Sequence, residues 1–144
     1  MNDTVFVLNG PNLNLLGTRE PEIYGSDTLA DIEASLVEQA RGLGLAVDFR
    51  QTNHEGVLVD WLHEARASGA KAVLLNAGAY THTSIALLDA IRAIGVPVIE
   101  VHLSDPARRE AFRHVSYVGM AAVDEVKGLG ARSYAVALDK AAAL

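Results

Sequence analysis

Short apolar runs alternate with amphipathic stretches along the chain. Val5-Phe-Val-Leu8 is a continuous apolar run of the kind a strand buried on both faces requires, and Asn9-Gly-Pro-Asn12 stops it abruptly. Leu29, Ile32, Leu36, Val37 and Ala40 recur at helical spacing behind a Thr28/Asp31 capping pattern, and Gly42 and Gly44 end that helix. Ala46-Val-Asp-Phe49 predicts a second strand, ending at Gln51-Thr-Asn53. Leu58, Trp61, Leu62 and Ala65 make the next apolar stripe, closed by Gly69. Ala72-Val-Leu-Leu75 predicts a third strand, punctuated by Asn76-Ala-Gly-Ala79. Ile85, Leu88, Asp89, Ile91 and Arg92 predict a helix ending at Gly95, and Pro97-Val-Ile-Glu-Val-His102 a fourth strand. Asp105-Pro106 has the form of a helix start, with Pro following a cap residue. Ala121–Val126 predicts a fifth strand, short and at an edge because Asp124 and Glu125 interrupt it. Tyr134, Ala137, Leu138 and Ala141 predict a last helix.

Strands alternating with helices mean βαβ units and a parallel sheet. The rhythm predicts an α/β, flavodoxin-like doubly wound five-stranded parallel sheet of order 2-1-3-4-5, with residues 1–144 as a single domain. In such sheets ligands bind beyond the carboxyl ends of the strands, where the strand order reverses. The polar clusters Asn9–Asn14, Asn76–His82 and His102–Asp105 follow strands one, three and four, so they should meet in one pocket. The loop after the first strand, with Arg19 and Tyr24, is long for a compact domain, which points to function. Its Leu13, Leu15, Leu16 and Ile23 are too apolar for a solvated tail.

Composition narrows the chemistry. A net charge of -6 with no Lys/Arg run argues against nucleic acid, while Arg108, Arg109 and Arg113 cluster as a small anion would require. Without cysteine there is no thiolate metal site and no cysteine nucleophile. No basic-then-apolar leader and no apolar run of about 20 residues is present, so the expectation is a soluble cytoplasmic protein with no membrane partner. Phosphate-loop and dinucleotide glycine patterns are missing, and His54-Glu-Gly56 lacks the second His of a zincin. The remaining expectation is a metal-free site for proton transfer.

His102 should close the fourth strand, with Glu100 on the same face two residues earlier. A carboxylate beside an imidazole fixes its tautomer or favours its protonated form. A purely structural, hydrogen-bonded histidine is the other reading. Tyr24 becomes a base only if a cation such as Arg19 favours its ionised form. By spacing alone an exposed loop tyrosine is the plainer reading.

Val7-Leu-Asn-Gly-Pro-Asn-Leu-Asn-Leu-Leu-Gly-Thr-Arg-Glu-Pro-Glu-Ile-Tyr-Gly25 resembles the opening of the type II 3-dehydroquinate dehydratases. Gln51-Thr-Asn-His-Glu-Gly56, Leu75-Asn-Ala-Gly-Ala-Tyr-Thr-His-Thr-Ser84, Val98-Ile-Glu-Val-His-Leu-Ser104 and Arg109-Glu-Ala-Phe-Arg113 resemble its later blocks, in order, so that residues 5 to 117 are covered. The resemblance implies a flavodoxin-like fold, cofactor-free dehydration of 3-dehydroquinate to 3-dehydroshikimate through an enolate, and a dodecamer of trimers. It implies Tyr24 as base, Arg19 as stabiliser of its anion, His102 as acid, and Asn12 as holder of a water at the enolate. Asn76, His82, Leu103, Ser104 and Arg113 would bind substrate, and Asp89 would reach a neighbouring subunit's pocket. A Schiff-base dehydratase fits poorly, because Lys71, Lys127 and Lys140 lie outside the polar clusters. The chain departs from the family pattern at Asp105, commonly Asn there, and at Asp124-Glu-Val-Lys127, usually more apolar.

Overall fold

The computed structural model describes residues 3–18, 20–24 and 26–144, and of Tyr24 the backbone only. Five strands, β1 (Thr4–Asn9), β2 (Ala46–Gln51), β3 (Ala72–Asn76), β4 (Val98–Val101) and β5 (Asp124–Val126), form one all-parallel sheet in the order β2-β1-β3-β4-β5. The expected flavodoxin-like topology is therefore the one observed. Helices α1 (Pro21–Tyr24), α2 (Leu29–Leu43), α3 (Glu55–Ser68) and α4 (Ile85–Ile94) lie in the first three crossovers, two 3₁₀ turns lie in the fourth, and α5 (Arg132–Ala142) follows the last strand.

Alternation along the central strands assigns each face its helices. Val5, Val7, Leu74 and Ile99 pack with Ile32, Leu36, Ala137 and Leu138 of α2 and α5. Phe6, Leu8, Val73, Leu75 and Val98 pack with Leu58, Leu62, Leu87 and Ile91 of α3 and α4. β1, β3 and β4 are buried along their lengths, which is why they read as unbroken apolar runs. The Thr28/Asp31 capping box forms in both directions, at 3.1 and 3.0 Å.

Three local expectations are revised. β5 begins at Asp124 rather than Ala121, because the amides of Ala121 and Ala122 are spent in a turn on the Val118 carbonyl. Asp105-Pro106 opens a single 3₁₀ turn, Pro106–Arg108, capped by Asp105 on the Ala107 amide, and the chain is extended again at Arg109. In the long loop Leu13 and Leu16 are buried against the α2/α5 layer, whereas Leu15 and Ile23 stay exposed.

Candidate active site

The ends of β1, β3 and β4 lie side by side, and Asn9 pairs in register with Asn76. Two glycines let the loops beyond β1 and β3 touch. A Cβ on Gly10 would stand 2.4 Å from the Ala77 carbonyl oxygen, and the Gly10 amide donates to the Asn76 carbonyl at 2.8 Å. Gly78, at φ +59, packs on Pro11. Asn12, itself left-handed at φ 69, donates its amide to Asn53 Oδ1 at 3.1 Å, and Gln51 Nε2 donates to the Gly10 carbonyl at 3.1 Å. The turn after β3 is tied to the same place by Tyr80, whose hydroxyl donates to the Asn53 carbonyl at 2.7 Å.

Beneath these loops runs a buried polar relay. Asn76 Nδ2 donates to Tyr134 Oη at 2.9 Å, Tyr134 donates to Asn9 Oδ1 at 2.6 Å, and Asn9 Nδ2 donates to the Arg50 carbonyl at 2.9 Å. Complete burial pushes the Tyr134 phenol well above its ordinary range, so it is a neutral donor at any working pH.

Above the relay opens a cleft of about 170 Å³. Asn12, Asn76, His82, His102, Leu103, Ser104 and Arg113 all line it, as does Arg109. The three polar clusters thus converge as the strand order requires. Arg108 of the basic cluster points away, its side chain 88% exposed, so Arg109 and Arg113 supply the positive wall. Asp89 is exposed on α4 and does not line this chain's own cleft. Arg19 and the Tyr24 side chain lie outside the described residues.

His102 Nε2 is 2.6 Å from Glu100 Oε2, and both residues are buried. The same carboxylate oxygen accepts from Ser116 Oγ at 2.6 Å. Burial alone would raise the Glu100 carboxyl, but hydrogen bonds from His102 and Ser116 and the imidazole's charge outweigh it and hold the carboxyl below its ordinary value. An ionised acceptor fixes the proton on Nε2 and leaves Nδ1 as the ring's other working atom. The His82 ring stacks near that of His102, with centroids 6.4 Å apart. Its Nδ1 donates to the Val115 carbonyl at 2.8 Å, and burial, then the neighbouring His102 and Arg113 charges, lower its proton affinity. His82 is thereby a neutral hydrogen-bonding group near pH 7.

Glu100, His102 and Glu125 bring one donor atom each within 4.8 Å of one another. The 2.6 Å contact inside this trio is a hydrogen-bond distance, shorter than the roughly 3.3 Å between two ligands 2.0–2.1 Å from one tetrahedral zinc. Lys127 Nζ stands 3.1 Å from Glu125, which further disfavours a cation there. The trio is a charge cluster.

Sequence reasoning missed Ser116 and Tyr134 as parts of the site, and read Asn9 only as a member of the polar cluster after the first strand. Tyr134 carried only a helical apolar signal, and Ser116 sits in a segment without periodicity.

The fold and the cleft together define a doubly wound α/β protein with a buried imidazole–carboxylate pair facing a polar pocket. The Dehydroquinase class II family profile matches residues 3–142, and the chain belongs to that family. A relative from Methylobacterium radiotolerans named 3-dehydroquinate dehydratase is 61% identical over 138 residues, covering 96% of this chain and 92% of its own. The crystal structure of the type II dehydroquinase from Propionibacterium acnes superposes with a TM-score of 0.94 at 43% identity, over 100% of this chain and 99% of that one. That of the Butyrivibrio crossotus enzyme gives 0.95 at 36% identity, over 97% of each chain.

Proposed function

We propose that the protein dehydrates 3-dehydroquinate to 3-dehydroshikimate, by proton transfer through an enolate without metal or cofactor. The observation that carries this reading is the buried His102–Glu100 pair beside a polar cleft that Arg109 and Arg113 also line. Loss of water from a β-hydroxy ketone needs a base, a group that stabilises the enolate, and an acid at the leaving oxygen. Tyr24, kept anionic by Arg19, removes the proton alpha to the ketone, and the electron pair moves onto the carbonyl oxygen. Asn12, at the cleft's rim, holds a water against that oxygen. The enolate then collapses, the C–O bond breaks, and imidazolium His102 delivers its Nδ1 proton to the departing hydroxyl, which leaves as water. Transfer of the Tyr24 proton to His102 through solvent resets the site.

Substrate binding follows from the lining. Arg113 suits the carboxylate, and the Leu103 and Ser104 amides donate no internal hydrogen bond among the described residues, so they are available to an anion or hydroxyl. Asn76 and neutral His82 suit the ring hydroxyls. Asp89, exposed on α4, fits a role in the cleft of an adjacent subunit within a trimer-based dodecamer. Both aromatic biosynthesis along the shikimate route and quinate breakdown use this step. The test is addition of 3-dehydroquinate to chelator-treated protein, with the conjugated enone product followed by ultraviolet absorbance. Chelator-resistant turnover is expected, and a folded protein without turnover rejects the reading.

A further inference from the structure

The geometry points to Glu125 and Lys127 as positioning residues that set how tightly the His102 imidazole holds its proton. This deepens the reading of His102 as the acid and rests on it for its catalytic meaning.

β4 and β5 run in a register that pairs Glu100 with Glu125 and Val101 with Val126, and the His102 amide continues the ladder to the Val126 carbonyl at 2.9 Å. Side chains two apart on a strand share a face, so Glu100 and His102 stand beside Glu125 and Lys127 as a two-by-two block. Inside the block His102 Nε2 is 2.6 Å from Glu100, and Lys127 Nζ is 3.1 Å from Glu125 Oε1. The Glu125 carboxylate and the imidazole fall within the 4.8 Å cluster. A separate cavity of about 60 Å³ lies behind the ring, lined by His82, His102, Arg113, Ser116, Glu125 and Lys127 among others. His102 therefore borders the substrate cleft and also a second space, large enough for a water or two, that Glu125 of β5 and Lys127 just beyond it help to line.

A carboxylate this close favours imidazolium, and an ammonium opposes it. The other charged groups facing the ring are Glu100 on its own strand, His82 from the turn after β3, and Arg113 and His114 from the 111–116 segment. Arg113 is engaged by Glu110 at 2.9 Å. Lys127 also has Asp105 at 3.9 Å, so the two positions where the chain departs from its family pattern form one charge group. Glu125 and Lys127 are both partly exposed, which screens their effect and makes them replaceable without opening the core.

The test is a pH titration of the His102 Cε1–H resonance by NMR, assigned by its loss in His102→Asn, in intact protein and in three variants. Glu125→Gln should lower the His102 midpoint, Lys127→Gln should raise it, and Glu125→Asp should restore it. The alkaline limb of kcat with 3-dehydroquinate should move the same way, with KM unchanged. Midpoints that stay put, or that move in the same direction for both neutralised variants, overturn the inference. Midpoints that move as stated in a protein without turnover uphold the charge coupling and reject the proposed reaction. Normal turnover with fixed midpoints does the reverse.

Discussion

Tyr134 of α5 donates its phenolic hydrogen to Asn9 at the end of β1, across 125 positions of chain, while accepting from Asn76 at the end of β3. One buried hydroxyl thus joins the first strand, the third strand and the last helix directly under the cleft.

Removing that hydroxyl should cost stability and binding together. Tyr134→Phe keeps the ring but strips Asn9 Oδ1 and Asn76 Nδ2 of a buried partner, at a cost of about 1–3 kcal/mol. Urea melts should show a lower midpoint with an unchanged slope, and KM for 3-dehydroquinate should rise. A midpoint equal to that of the parent protein means that water replaces the phenol without penalty.

The acid and base roles separate by isotope exchange. Tyr24→Phe should lower kcat by about 10²–10⁴ and abolish exchange of the substrate's alpha proton with D₂O. His102→Ala should lose net dehydration yet retain that exchange, since in the proposed mechanism proton removal precedes C–O cleavage. NMR of recovered substrate reads both. Deuterium uptake with Tyr24→Phe, or none with a substrate-binding His102→Ala, reverses or removes the assignments.

Glu100 connects the site to acid stability. Burial pushes its carboxyl up, but the His102 and Ser116 hydrogen bonds and the imidazole charge bring it below its ordinary 4.5. A depressed carboxyl contributes stability that is complete above about 4.5 and is lost as pH falls through the lower folded value. Glu100→Gln should therefore lower Tm at pH 7 and flatten the decline of Tm below pH 4.5. Thermal melts across pH 3–7 that run parallel for the two proteins would show the pair contributes nothing to acid unfolding.

Asp89 tests assembly. An exposed carboxylate on a helix otherwise packed through Leu87, Leu88, Ala90 and Ile91 has no role within its own chain's cleft. Light scattering should give a mass near twelve chains, and mixing inactive Asp89→Ala with inactive Tyr24→Phe subunits should recover activity. A fully active monomer ends the idea.

The central strands, the sheet order and the convergence of three polar clusters were legible in the sequence because each rests on a strong local signal: an apolar run, a period, or Gly and Asn punctuation. Glu100 and His102 were paired correctly from their spacing on one strand. What was illegible depends on contacts between distant segments. Tyr134 looks like any core residue of an amphipathic helix until β1 and β3 arrive beneath it. The start of β5 was misplaced because Ala121-Ala-Val123 has strand character, and only the turn onto Val118 takes the Ala121 and Ala122 amides away from the sheet, which the Val123 amide reaches at the Val98 carbonyl. Asp105 was read as a helix cap, and it does cap, but the chain leaves after one turn.

The Tyr134 link also bears on how the molecule is made. A ribosome delivers β1 first and α5 last, so the carboxamides of Asn9 and Asn76 must wait for their shared phenol through the synthesis of every intervening element. β3 likewise presents an apolar, unpaired edge until Val98–Val101 has emerged to cover it. A truncated product ending before α5 would carry the cleft's residues without the phenol beneath them, and would show the apolar sheet face that Ala137, Leu138 and Ala141 cover to chaperones and proteases rather than a finished cleft to substrate.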